Sequence, residues 1–202
     1  MNQSRIKELM LNALETEMGG VQIYEAALRC AVNEDLHKEW EEYHEQTEHH
    51  VDVLRGVCQA LGVNPEEKTP GRAVIHHIGE SLVKAMEMAL DAGDKPAAEL
   101  VATECVTAAE TMDHHHWELI GELGKKMKGD EGKALREAHE EIEEEEDEHV
   151  YHTKGWSREL WIDALGMKAV LPPPEEEKDV KTAIGAERAK NARGDMLRGA
   201  AK

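Results

Sequence analysis

Residues Glu146-Asp147-Glu148-His149 place a carboxylate and an imidazole three positions apart. On a helix that spacing stacks the two side chains on neighbouring turns. An oxygen and a nitrogen donor offered together suit iron or manganese. Eight acids crowd residues 140–148, so the motif carries little weight until its phase is considered. Leu135, Ala138, Ile142, Trp156, Leu160 and Ala164 define an apolar stripe. With Leu135 as origin and 100° per residue, Glu146 falls at about 20° and His149 at about 320°, both on that stripe. The same construction on the first helical run puts Glu17 at about 20° and Tyr24 at about 0° from Ile6, among Leu9, Met10, Ala13 and Val21. A carboxylate inside an apolar stripe is costly unless it is paired or metal-bound.

The second run echoes the last one. A shift of 99 residues superimposes Leu36 on Leu135, Tyr43 on Ile142, His50 on His149 and Leu61 on Leu160. His50 therefore faces the core. Three positions before it stands Thr47 rather than an acid, and the alternative ligand His49 has Gln46 there. Glu45 and Glu48 point outward by phase. On the third run, a face of Ala102, Ala109, Ile120 and Met127 leaves Asp113 and His116 on either side of its middle, again three apart. Glu110 lies further round and reaches inward if that helix is rotated. His114, His115 and His116 must point three ways, so at most one or two of them serve as ligands.

These residues need long helices to hold them. Pro and Gly are confined to few places, and the stretches between show a 3.6-residue apolar period with almost no strand signal. The pattern predicts helices over about 3–31, 34–61, 95–127 and 131–166, with a crossover helix at about 71–92. The fold class is all-α. Two helical hairpins of rods roughly 40 Å long, joined by a long crossover with its own helix, make one version of the four-helix bundle. The bundle occupies residues 1–166 and a separate tail 167–202. Three prolines and three glutamates open the tail, and residues 178–202 then hold seven Lys/Arg against three Asp/Glu. An extended segment is expected there. It either lies on its own acidic body or docks on another protein through Met196 and Leu197.

Across its 202 residues the chain carries 43 acidic and 24 basic side chains, net −19. Such a surface repels nucleic acid and anionic membrane. Mean hydropathy is −0.63, and no apolar run is long enough for a transmembrane helix. The charged, periodic start does not read as a secretory signal. Cys30, Cys58 and Cys105 are odd in number and form no CxxC. Buried thiols in a reducing compartment, and hence a cytoplasmic location, are the expectation. No two of the 12 histidines stand four apart. That removes HExxH zinc proteases and a hemerythrin-type site suggested by His44 and Glu48. Nucleotide-binding loops and the GxSxG of serine hydrolases are absent.

Glu17 with Tyr24 seven residues on, the Glu146/His149 pair, and Asp113 33 residues before Glu146 together resemble the ferritin-like di-iron carboxylate superfamily. That group contains rubrerythrins and bacterioferritins. The short hairpin spacing and the Gly79-Glu80-Ser81-Leu82 crossover are similar in style to the YciE/YciF-type small stress proteins. The resemblance covers about residues 3–166. It implies a ferritin-like four-helix bundle with a metal set of Glu17, His50 or His49, Asp113, His116, Glu146 and His149. Glu146 would bridge the metals, and Tyr24 would orient a carboxylate from outside. The implied cofactor is iron, as two ions or one plus a weak site, with manganese as the other candidate. The implied activity is ferroxidase- or peroxidase-type, oxidising Fe(II) or reducing O2 or peroxide in iron or oxidative stress, in a homodimer. Helix 2 departs from the pattern, because the expected glutamate falls on Gln46 or Thr47. A helical scaffold that has lost its metal and works by binding a partner is the alternative expectation.

Overall fold

The computed structural model describes residues 1–199. Five long helices follow one another: α1 (Gln3–Cys30), α2 (Glu34–Ala60), α3 (Pro70–Asp91), α4 (Lys95–Lys126) and α5 (Gly129–Ala164). A short α6 (Pro174–Glu177) and α7 (Ala183–Gly199) complete the chain. The described residues hold no strand.

Helix starts follow from capping chemistry. Asn2, Asn33, Thr69 and Asp94 each accept a backbone N–H of the first turn from α1, α2, α3 and α4 respectively. Such caps satisfy donors that the helix itself leaves free. Prolines stand in the first turns of α3 and α4, where the missing N–H costs nothing. Gly129 enters α5 at φ +76°, a left-handed turn that suits glycine. It allows α4 and α5 to double back after two residues.

Named contacts fix the helix directions. Thr16, Glu17 and Tyr24 meet His116, Trp117 and Glu110 respectively, so α1 and α4 are antiparallel. Gln46 meets His149, and His50 meets Glu145, so α2 and α5 are antiparallel as well. Short loops make α1/α2 and α4/α5 antiparallel pairs. Hence α2 and α4 run in the same direction, and the chain must return between them. α3 makes that return. It lies along α1, with Glu8 on Gly71, Glu15 on Arg72 and His76, and Gly19 against Gly79. A Cβ on Gly79 would come within 3.6 Å of the Gly19 backbone, so the two glycines permit the helices to touch.

The core is split in two. One apolar cluster includes Met10, Leu14, Leu54, Ile120, Leu135 and Ile142. The other includes Tyr24, Leu36, Trp40, Val106, Trp156 and Leu160. Polar residues occupy the layer between them. Cys30, Cys58 and Cys105 are free and buried, and burial pushes all three thiols up. No helix of the described residues is long and apolar enough to cross a membrane.

The segment after residue 166 departs from the extended form expected of it. Residues 183–199 are helical in α7, and α6 is pressed onto α5. Arg158 grips Glu175 with two parallel hydrogen bonds of 2.6 and 2.7 Å. Arg193 reaches fully buried Glu159 at 2.7 Å. Lys181 bridges Glu144 and Glu148 at 2.8 and 2.9 Å. The physical reason is charge in both directions: Arg193 and Lys181 of the segment meet acids of α5, and Arg158 of α5 meets Glu175 of the segment. Met196 and Leu197 are half-buried. Residues 200–202 of the tail lie outside the described residues.

Candidate metal centre

Six side chains converge in the polar layer: Glu17 from α1, His50 from α2, Glu110 and Asp113 from α4, and Glu146 and His149 from α5. All six are buried. Helical phase brings them there, since each lies on the face its helix turns to the core. Two groups of three have donor atoms within 4.8 Å of one another: His50, Glu146 and His149, and Glu17, Asp113 and Glu146. Glu146 belongs to both.

The donors point at each other without hydrogen bonds to satisfy them. Buried atoms with no partner are Glu17 Oε2, His50 Nδ1, Glu110 Oε2, Asp113 Oδ1 and both oxygens of Glu146. His50 Nδ1 lies 3.1 Å from Glu146 Oε1 and 3.4 Å from Glu17 Oε1. His149 Nδ1 lies 3.5 Å from Glu110 Oε2 and 3.8 Å from Glu146 Oε1. Two ligands bound to one metal at about 2.0–2.2 Å and 90–110° stand about 3.0–3.5 Å apart. Most of these separations fall in that range.

Outer partners hold the donors in place. His149 Nε2 faces Gln46 Oε1 at 2.7 Å, and His50 Nε2 faces Glu145 Oε2 at 2.9 Å. Both partners are acceptors, so each Nε2 donates to its partner and each Nδ1 is turned inward toward the carboxylates. Trp117 Nε1 donates to Glu17 Oε1 at 2.6 Å, and Tyr24 Oη donates to Glu110 Oε1 at 2.8 Å. Burial, helped by the Glu110 charge, raises Tyr24 well above the ordinary phenol value. It stays a neutral donor.

Electrostatics record the crowding of carboxylates. Burial, then the Glu17, Glu146 and Glu110 charges, raises Asp113 well above the ordinary carboxylate range. Burial also pushes Glu146 up to about 7, against the adjacent His50, which lowers it. His50 is pulled down by burial, yet the Glu17 and Glu146 charges beside it carry it up to about 11. No lysine or arginine among the described residues pairs with Glu17, Glu110, Asp113 or Glu146.

Not every residue singled out by the sequence enters this layer. His49 is exposed and pairs with Glu141 at 2.9 Å, because it sits 100° round α2 from His50. His116 is buried one turn beyond Asp113, with Nδ1 held by Thr16 Oγ1 at 3.1 Å. Burial and the neighbouring His115 push it down to about 4. Neither histidine belongs to a ligand group. Glu110 and Asp113 both face inward, so α4 brings two carboxylates where α2 brings none. The Glu110/Asp113 spacing of three was the available signal for this. Thr47 turns its hydroxyl to the Tyr43 carbonyl at 2.8 Å. A cavity of about 230 Å³ reaches Glu146 from the surface and is walled by His114, His139, Glu143 and Asp147. Thr182 and Ala183 of the C-terminal segment border it.

The chain thus has buried His/Glu groups that could hold a metal ion. Comparison with known proteins finds no matching family model, no matching curated protein and no matching solved structure.

Proposed function

We propose that the chain is a ferritin-like four-helix protein whose mid-body layer holds two iron ions, or iron with manganese, and serves Fe(II) oxidation or O2/peroxide reduction. The helix directions support the ferritin-like reading. Two antiparallel hairpins have their second and third long helices parallel, and a crossover helix returns the chain between them. The observation that carries the metal reading is the set of unpartnered buried oxygens around Glu146. Leaving a buried polar atom unpaired is costly, and here several are aimed at one space. Four carboxylates amount to −4 when ionised, which two divalent cations would balance.

The donor set fits iron and manganese, since carboxylate oxygen and imidazole nitrogen suit both. Glu146 lies between the two groups and would bridge them. Glu17 and Asp113 would hold one side, and His50, His149 and Glu110 the other. Iron so held would supply the electrons for reduction of O2 or peroxide. The protein's own work is positional. Trp117 and Tyr24 fix the outer oxygens of Glu17 and Glu110, Gln46 and Glu145 set the imidazole tautomers, and the two apolar clusters keep bulk water off both ends. The acidic walls of the cavity beside Glu146 draw Fe(II) toward the site as substrate.

A metal-free scaffold that binds a partner is the second reading. One observation favours it: the His50 imidazolium alone can pair with Glu17 and Glu146. Anaerobic titration with Fe(II) followed by O2 separates the two. The metal reading predicts about two ions bound per chain and Fe(II) oxidation that Glu146→Ala abolishes. No bound iron and no oxidation above background would overturn it.

A further inference from the structure

A second group of metal-capable side chains sits some distance along α2 and α5 from the first. It joins Glu39 of α2, His152 of α5 and Glu176 of α6, whose donor atoms lie within 4.8 Å of one another. Glu39 Oε2 accepts from Trp156 Nε1 at 2.5 Å. Its other oxygen, Oε1, has no hydrogen-bond partner although only 8 % of the side chain is exposed. That oxygen is 3.7 Å from His152 Nδ1, and Glu176 Oε2 is 2.9 Å from the same nitrogen. On the far side of the ring, His152 Nε2 lies 2.9 Å from the Val180 carbonyl. A carbonyl only accepts, so Nε2 carries the proton and Nδ1 is directed at Glu39, Glu176 and the Tyr43 hydroxyl, the last at 3.0 Å. A backbone carbonyl fixing the outer nitrogen is the arrangement that prepares an imidazole for a metal.

We propose that Glu39, His152 and Glu176 form a separate divalent-cation site that clasps the C-terminal segment to the helical body. The ligands come from the body (Glu39, His152) and from the segment (Glu176), so an ion here ties one to the other. Separations of 2.9 and 3.7 Å bracket the roughly 3.0–3.5 Å between neighbouring ligands of a first-row divalent ion. One imidazole with two carboxylates suits Zn2+, Mn2+ or Fe2+. Asp35, Glu42, Glu148 and Asp179 outnumber Lys38 around the opening of about 460 Å³ that leads to it, a balance of charge that favours entry of a cation. The same segment borders the cavity beside Glu146 through Thr182 and Ala183, so the clasp fixes one wall of that route.

The test is Zn2+ binding to the full chain, counted by calorimetry and elemental analysis, in wild type and in Glu146→Gln, each with and without Glu176→Gln. Glu176 is 34 % exposed, so its amide variant leaves the body intact. The proposal predicts one Zn2+ fewer per chain with Glu176→Gln in both backgrounds. It also predicts that Zn2+ slows protease cleavage within residues 166–182, at least fivefold, only where Glu176 is present. The Glu146→Gln background isolates this site from the mid-body layer, whatever that layer binds. An unchanged Zn2+ count, or equal protection with and without Glu176, would overturn the proposal and leave the trio as an ion pair.

Discussion

At the scale of single residues, the proposed metal layer would be a compromise between stability and binding. Asp113 sits among Glu17, Glu110 and Glu146 with no cation at its oxygens. Ionised, it destabilises the metal-free fold; neutral, it cannot serve as an anionic ligand. Asp113→Asn should therefore raise the stability of the metal-free protein by about 1 kcal/mol and weaken metal binding at least tenfold. Thermal melts with chelator and with metal would read both effects. A loss of stability in the chelated protein would contradict this account. The residue scale also shows what a sequence can reveal. Glu17, His50, Glu146 and His149 are placed inward by phase alone, because an isolated charge on an apolar stripe stands out, whereas on α4 phase leaves Asp113 and His116 on either side of the middle. Glu110, Glu145 and Gln46 are less legible. Their roles depend on the rotation of α4 and on the distance between α2 and α5, and neither is written in one helix's period. His49 and His116 show the limit from the other side. One residue's rotation takes His49 out of the layer, and one turn's offset leaves His116 against Thr16.

At the scale of elements, the five long helices follow from spacing, punctuation and caps, and their bounds differ from the sequence expectation by only a residue or two at most ends. The C-terminal segment was harder to read. Its prolines signal a break, but the salt bridges that dock it pair residues far apart in sequence. Gly155 is the clearest trace of that docking. A Cβ there would meet Glu175 Oε2 at 2.8 Å and Pro173 Cβ at 3.2 Å. Glu175 cannot easily withdraw, because Arg158 holds both its oxygens. Gly155→Ala improves helix propensity by up to about 1 kcal/mol yet pushes α6 outward. The expected result is a body that melts at the same temperature or slightly higher, with a segment cleaved severalfold faster by protease. Unchanged cleavage would show that the close approach at Gly155 does not govern docking.

For the whole molecule, the titration of the buried groups sets how stability varies with pH. Glu146 rises from 4.5 to about 7 in the metal-free fold. The folded state then binds more protons than the unfolded chain between those values, so metal-free stability falls as pH rises through that window. His50, raised from 6.5 to about 11, contributes stability that is complete below 6.5 and is lost as pH rises toward 11. The two trends have the same sign. Under the proposed metal reading, a bound ion would reverse the demand on Glu146, since its ligand form is the ionised one. The gap in melting temperature between loaded and chelated protein should widen from pH 5 to pH 8, and loading near neutral pH should release protons. A gap that stays constant or narrows would contradict coupling between these groups and the metal.

The central claim is that Glu146 lies between two metal ions held by four helices. Crystals grown from protein loaded with iron and manganese, measured at both absorption edges, test it most directly. The account predicts two anomalous peaks, one on each side of the Glu146 carboxylate, one facing Glu17 and Asp113 and the other facing His50 and His149. A layer without anomalous density, with Glu17 and Glu146 paired only to His50, Trp117 and water, would contradict it.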